Sequence, residues 1–346
     1  MTMSMRSLIK VFLAVSLLGL FFSSATAAVD AGALQQNLEK QLPPSPTLPE
    51  PGKLKPLNVP TPKDADVTFI VNAFELEGVN ILPESQVQAV LKPYLGINLT
   101  FSKLEKACDA ITNLYLANGY SVRAVVLPQS MSKTGGTIKL RITEAKLSSV
   151  VINVLNADNR FGAERVKKYI TDANPIGQAL NLNTIERSLI ILNEIPGVMV
   201  SSQLDAGKEQ GDTDLKVGLG ETPLIQGRTE ANNLGSRSTG TQQVVAALSF
   251  NNLNGFGDQV ALNGIASQGS EYMYAAYSLP VNTSGLRLSV YGIYLHYKNI
   301  GEYVSPNGAY GYSRTRGLKL SYPLVRTKSA NLNASLGYDS KSYLNE

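Results

Sequence analysis

The chain has 346 residues, with 31 Lys+Arg against 27 Asp+Glu, one His, one Cys and no Trp, for a formal charge of +4. So weak a basic balance does not suggest a nucleic-acid binder. One Cys excludes an intrachain disulfide framework, and one His with one Cys excludes zinc clusters and leaves Cys/His catalysis only as a single pair.

The first residues read as a secretory signal. Arg6 and Lys10 form a positive start, Val11 to Phe22 is a short apolar run, and Ala25-Thr26-Ala27 is a small-residue cleavage site, so processing after Ala27 is expected. Residues 28–42 follow as a short helix. Leu34, Leu38 and Leu42 line one narrow stripe, and the other faces carry Gln, Asn, Glu and Lys. Such a helix buries little and is marginal alone. Residues 43–67 form a linker, in which eight prolines between Pro43 and Pro62 impose an extended spacer of ~3 Å per residue. Two readings stay open: a disordered mature N-terminus, or a detachable helix on a leash.

Residues 68–145 and 146–222 read as an internal repeat of two β-α-α-β-β units. In the first, Phe69 to Gly78 is a strand and Pro83 to Leu95 a helix with Pro at its start. Ser102-Lys103-Leu104-Glu105 is a capping box opening a second helix. Leu104, Ala107, Cys108, Ile111, Leu114 and Tyr115 form its apolar face, and Asn118-Gly119 ends it. Two strands follow, Ser121 to Pro128 and Thr137 to Thr143. A shift of 78 maps Leu104 on Leu182, Ile111 on Leu189, Gly119 on Gly197 and Val122 on Val200, and a shift of 77 maps Glu144 on Glu221. Each unit leaves a sheet edge whose free N–H and C=O groups can pair with an extended chain.

From residue 223 to 346 the pattern changes to long alternating strands, near 225–233, 241–251, 257–268, 271–280, 285–297, 310–323 and 329–340. Leu286, Leu288 and Val290 alternate with Arg287, Ser289 and Tyr291; Leu318, Leu320 and Tyr322 alternate with Lys319 and Ser321. A soluble sandwich has the same period. Strand length, short turns alternating with a long loop, and 12 of the 16 Tyr lying after residue 271 favour a barrel in lipid with an interfacial tyrosine girdle. Seven strands with open edges cannot stand in hydrocarbon, so the chain is expected to be the N-terminal part of a larger transmembrane antiparallel barrel.

This order resembles the two-partner secretion transporters, the outer-membrane translocators of haemolysins and filamentous adhesins, which carry two polypeptide-transport-associated (POTRA) domains before a β-barrel. The local likeness lies in Phe74-Glu75-Leu76-Glu77-Gly78-Val79, the helix end from Leu114-Tyr115 to Gly119-Tyr120, and the first barrel hairpins, including Asn251 to Asp258 and Tyr277 to Pro280. The resemblance implies a cell-outer-membrane protein with its POTRA domains in the periplasm, outer-membrane lipid around the barrel, and an unfolded secreted partner protein. It also implies that the 28–42 helix plugs the lumen and leaves during transport. The second strand of each unit is the expected capture edge, with Tyr120, Val122, Ala124 and Val126 in the first unit and Val198 and Val200 in the second as contact residues. An outer-membrane insertase and a soluble periplasmic peptide-binding module are the alternatives.

Enzyme motifs do not hold together. Ser130-Met131-Ser132-Lys133 and Lys133-Thr134-Gly135 overlap in one turn and share one Lys, so they cannot fill two separate roles. Glu75/Glu77 and Asp212/Asp214 are i, i+2 pairs read as solvated strand ends. Cys108 reads as core, His296 as a girdle residue, and Gly255-Phe256-Gly257-Asp258 as a tight turn. No catalytic residue, metal, cofactor or nucleic-acid partner is expected.

Overall fold

The computed structural model describes residues 31–41, 68–129, 135–156, 159–304 and 309–346. The signal segment, Leu42, the proline-rich linker and the turn Ser130 to Lys133 lie outside the described residues.

The elements in chain order are α1 (Ala31–Gln41), then β1 (Phe69–Glu77), α2 (Glu84–Leu91), β2 (Asn98–Leu99), α3 (Phe101–Ala117), β3 (Val122–Val126) and β4 (Gly136–Glu144). The second unit has β5 (Lys146–Val154), α4 (Ala163–Ala173), α5 (Leu182–Asn193), β6 (Val198–Ala206) and β7 (Asp212–Glu221). The last region holds β8 (Ile225–Asn232), β9 (Gln243–Asn251), β10 (Gln259–Ser267), β11 (Ser270–Pro280), β12 (Arg287–Lys298), β13 (Tyr310–Arg326) and β14 (Asn331–Asn345).

The first unit is a sheet in the order β2-β1-β4-β3 and the second a sheet in the order β5-β7-β6, with the first long strand of each parallel to the last. The repeat is physical. Gly119 and Gly197 both follow the second helix and share the same positive φ of 85°, a left-handed backbone that glycine adopts without a Cβ clash. Leu104, Ile111, Tyr115 and Leu140 are wholly buried in the first core, and Val166, Ile170, Leu192 and Val217 in the second, each contributing about 1.5–3 kcal/mol of apolar burial where the side chain is large.

Three local expectations are corrected. The helix expected from Pro83 to Leu95 stops at Leu91 and tightens into a 3-10 turn over Lys92–Tyr94, because Pro93 has no N–H to continue the ladder. The two-residue strand β2, which pairs with Phe69 and Ile70, adds an element to the first unit. The helix that was to open on a Ser102 box instead starts on Thr100, whose hydroxyl accepts from the Lys103 N–H at 3.3 Å. Thr100 is the last extended residue, and only there does the backbone satisfy cap geometry.

The remaining seven strands form one antiparallel meander in the order β14 to β8, with all seven near their expected places. Strand pairing fixes which residues share a face. Leu295, Tyr272, Ile265 and Val245 lie in register across β12, β11, β10 and β9 and bury against Leu34 and Leu38 of α1. Leu288, Val290, Leu318, Leu320 and Tyr338 fall on the opposite face. The tyrosines divide accordingly. Tyr272, Tyr274, Tyr291, Tyr297 and Tyr343 face the α1 side, so the expected girdle rests on outward residues such as Tyr294, Tyr312 and Tyr322. Among the described residues no helix is long and apolar enough to cross a membrane.

Candidate functional site

The two expected capture edges differ. In β3, the Leu127 N–H donates to Lys139 O and the Ala145 N–H donates to Ser121 O. Odd-numbered residues therefore bond β4, and Val122, Ala124 and Val126 turn their N–H and C=O outward. Their side chains pack partly on the first core, so what they present is backbone. Among the described residues no strand lies beyond β3 in the sheet. Tyr120 is not part of this edge: it bridges to Asn181, while the Leu182 N–H donates to the neighbouring Gly119 O at 2.7 Å. Its place is the joint between the units.

In β6 the same parity turns Val198 and Val200 outward, yet that end of the edge is closed. The Asn193 amide donates to Val200 O at 3.1 Å and its oxygen accepts from Val200 N–H at 2.8 Å, copying a strand's pair of hydrogen bonds. The Val198 N–H donates to Ile195 O. Both valine side chains are core, at 2% and 6% exposure. Val198 and Val200 are thus corrected from contact residues to a capped edge, a standard way to blunt strand addition. At the equivalent helical position, 78 residues earlier, the first unit has Tyr115, whose hydroxyl turns to Glu144 instead.

Glu144 and Glu221 have matching work. Glu144 Oε1 accepts from the N–H groups of Asn80 and Ile81, both at 2.8 Å, and from the Tyr115 hydroxyl at 2.9 Å. Glu221 Oε1 accepts from the Arg160 N–H at 2.5 Å in the corresponding loop. Burial, followed by the hydrogen bond to Glu144, pushes the Tyr115 phenol up, so it stays a donor across the working pH range. Replacing Glu144 by Ala orphans three donors and is expected to lower the unfolding free energy of the full-length protein's first unit by about 2–4 kcal/mol. Urea unfolding followed by tyrosine fluorescence checks this; an unchanged midpoint contradicts it.

The other singled-out groups are structural. Glu75 and Glu77 form cross-strand ion pairs with Lys139 at 3.1 Å and Arg141 at 3.2 Å. Asp214 accepts from the Ser148 and Ser149 hydroxyls, which hold its carboxyl below the usual range. Cys108 is 7% exposed, and burial among Asp109 and Glu105 raises its thiol to about 11, leaving it inert. The 255–258 turn is tied by Asp258, which accepts from the Asn254 N–H at 3.0 Å and from the Tyr277 hydroxyl at 3.2 Å. His296 stands opposite Glu271 and Tyr312 on the outer sheet face. Among the described residues no three His, Cys, Asp or Glu side chains converge as a metal site.

The second unit is seated on the strand ends. Arg187 donates to Pro323 O at 2.5 Å, Arg326 pairs with Glu194, Lys328 pairs with Glu186 at 3.2 Å, and Arg165 donates to Gly255 O. Thr283 donates to Asp172 at 2.8 Å, and this bond, with the stronger one from Lys168, holds the Asp172 carboxyl low. A Cβ on Gly257 would come within 2.4 Å of Ile195 Cγ2, so close seating requires glycine there.

Helix α1 lies against the inner sheet face. Leu34 and Leu38 are buried in the cluster with Tyr272, Leu295 and Tyr297. The Ser313 hydroxyl donates to Gln35 Oε1 at 2.6 Å, and the Gln243 amide to Gln41 Oε1 at 2.5 Å. At its two ends the Gln41 amide reaches Leu234 O at 3.5 Å, and the Ala31 N–H reaches Asn345 Oδ1 at 3.3 Å.

Comparison with known proteins agrees with this architecture. Residues 69–145 match the family model described as POTRA domain, ShlB-type, and residues 211–346 match that for the haemolysin secretion/activation protein ShlB/FhaC/HecB. The heme/hemopexin transporter protein HuxB of Haemophilus influenzae is 26% identical over 350 residues, covering 97% of this chain and 60% of that protein. The outer membrane transporter CdiB of Escherichia coli is 27% identical over 198 residues, 57% of this chain and 32% of that protein. The chain thus spans about 60% of the length of the HuxB relative. Among solved structures, CdiB from Escherichia coli superposes with a TM-score of 0.65 at 20% identity, over 93% of this chain and 61% of that one. CdiB from Acinetobacter baumannii superposes with a TM-score of 0.57 at 19% identity, over 91% and 61%. The setting is the outer membrane, with the two α/β units in the periplasm. A ShlB-type POTRA match followed by a ShlB/FhaC/HecB match, in that order, is the make-up of the two-partner secretion transporters, and it is these that the chain resembles.

Proposed function

We propose that the protein captures an unfolded secreted partner in the periplasm by strand addition to β3 and passes it outward through the barrel of which β8–β14 are a part. The observation that carries this is the pairing of an open backbone edge, at Val122, Ala124 and Val126, with a seven-stranded sheet whose inner face holds helix α1. An unfolded chain offers the one thing every sequence has, free peptide groups, and an edge strand reads those first. Residues 28–42 act as the plug and 43–67 as its tether; 68–145 and 146–222 are the two POTRA domains, and the barrel starts at 223. No nucleotide is needed: folding or binding of the partner outside draws it through.

Deleting the gene tests the reading. Loss of a single secreted protein from the medium, with other barrel proteins at normal levels, is expected. Depletion of many barrel proteins indicates an insertase instead. Release of the full-length protein by buffer without detergent indicates a soluble peptide-binding module.

A further inference from the structure

The outer face of the sheet carries a depression of about 860 Å³. Its floor is set by small residues, Ala246 and Gly264 paired across β9 and β10, and Ala275 and Gly292 paired across β11 and β12. Met273 and Tyr294, paired across β11 and β12, stand beside it. Neither glycine is demanded by the backbone, since neither has a positive φ. Cβ atoms built on them would meet nothing closer than 3.8 Å and 3.9 Å. Glycine inside a strand weakens it and commonly marks a surface another group approaches.

The depression ends at Arg314 and Arg316 of β13. The register places both on the face of Leu318 and Leu320, opposite Ser342 and Ser340. The Arg314 guanidinium lies 4.8 Å from the Tyr312 ring centre and 5.8 Å from that of Tyr294. Neither arginine is in an ion pair among the described residues; the acid on this face nearby is Glu271, opposite His296. The end of β13 at Pro323 is seated on the second unit. From there to Arg316 the strand runs about 23 Å, and to Arg314 about 30 Å. With a tilt near 40°, Arg314 stands about 23 Å and Arg316 about 18 Å up, within a long side chain's reach of the far boundary of an apolar band about 25 Å tall. Two arginines without acids at that height, over an apolar hollow, complement a phosphate on an acyl chain.

We propose that this hollow holds an anionic, phosphate-bearing lipid of the outer leaflet, its phosphate between Arg314 and Arg316 and an acyl chain over Gly264 and Gly292. The proposal rests on the barrel reading above. Its test is native mass spectrometry of the full-length protein in phosphatidylcholine nanodiscs, titrated with bisphosphorylated lipid A, its dephosphorylated form, or inorganic phosphate. Bisphosphorylated lipid A is expected to bind best, and inorganic phosphate not to compete with it. Arg314→Ala/Arg316→Ala is expected to weaken binding about tenfold or more, as removal of two charged phosphate contacts should. Gly264→Leu/Gly292→Leu is expected to weaken the bisphosphorylated and dephosphorylated forms alike by filling the hollow. Equal binding of the two lipid forms by the unaltered protein overturns the proposal, and needs no variant to fold; so does unchanged binding by the arginine variant. A protein that leaves membranes in plain buffer refutes the barrel reading instead, which is a separate result.

Discussion

Single-channel conductance of the full-length protein should rise several-fold when residues 31–41 are deleted. The helix is about 10 Å across, and it lies on the inner face of β9 to β14, where it displaces water from the path. Its hold is modest. Leu34 and Leu38 together contribute about 3–6 kcal/mol of apolar burial, and the bonds at Gln35, Gln41 and Ala31 about 1 kcal/mol each. Against this stands the cost of ordering eleven residues at about 1 kcal/mol each. The gain does not exceed that cost, so α1 sits marginally, as the proposed plug role requires. Leu34→Asp with Leu38→Asp should reproduce the deletion without shortening the chain, because two carboxylates cannot stay against Tyr272 and Leu295. Planar-bilayer recordings check both. Conductance equal to that of the unaltered protein in both variants counts against the plug.

Secretion of the partner should fall more than tenfold in Ala124→Pro. The Ala124 N–H points away from β4, so proline there removes no bond of the native sheet. It deletes the central donor of the open edge and sets a ring where the incoming strand must lie. Val125→Pro is the contrast: it breaks a β3–β4 bond and should lower stability as well as secretion. The informative readout is therefore secreted partner per folded transporter, with thermal unfolding measured alongside. If Ala124→Pro secretes normally, capture does not use this edge.

The architecture was legible because it is periodic. Seven runs of alternating polarity gave seven strands, and the offset of 78 residues put Gly119 and Gly197 in the same left-handed turn. What escaped was tertiary. A strand's period says that Val198 and Val200 are at an edge with side chains inward; it does not say that Asn193 has already bonded the backbone there. A signal was present, since Asn193 breaks the apolar pattern of its helix at the place where the first unit has Tyr115. The division of tyrosines between the two faces was likewise hidden, because a tyrosine suits both an interface and a wet interior. Arg314 and Arg316 share the alternation of Leu318, but only the register across β12 shows that this face is the outside.

The two periplasmic units are connected by a single residue, Ala145, between β4 and β5, and it has no slack. Its N–H donates to Ser121 O and its C=O accepts from the Leu180 N–H at 2.8 Å. If the partner is clasped at Val122 to Val126 as proposed, tension on it therefore cannot be absorbed by a swivel. It is delivered as a lever load through the second unit to Arg187, Arg326 and Lys328, the fulcrum at the base of β13. On the proposed reading, grip on the cargo and the set of the pore wall are mechanically one body.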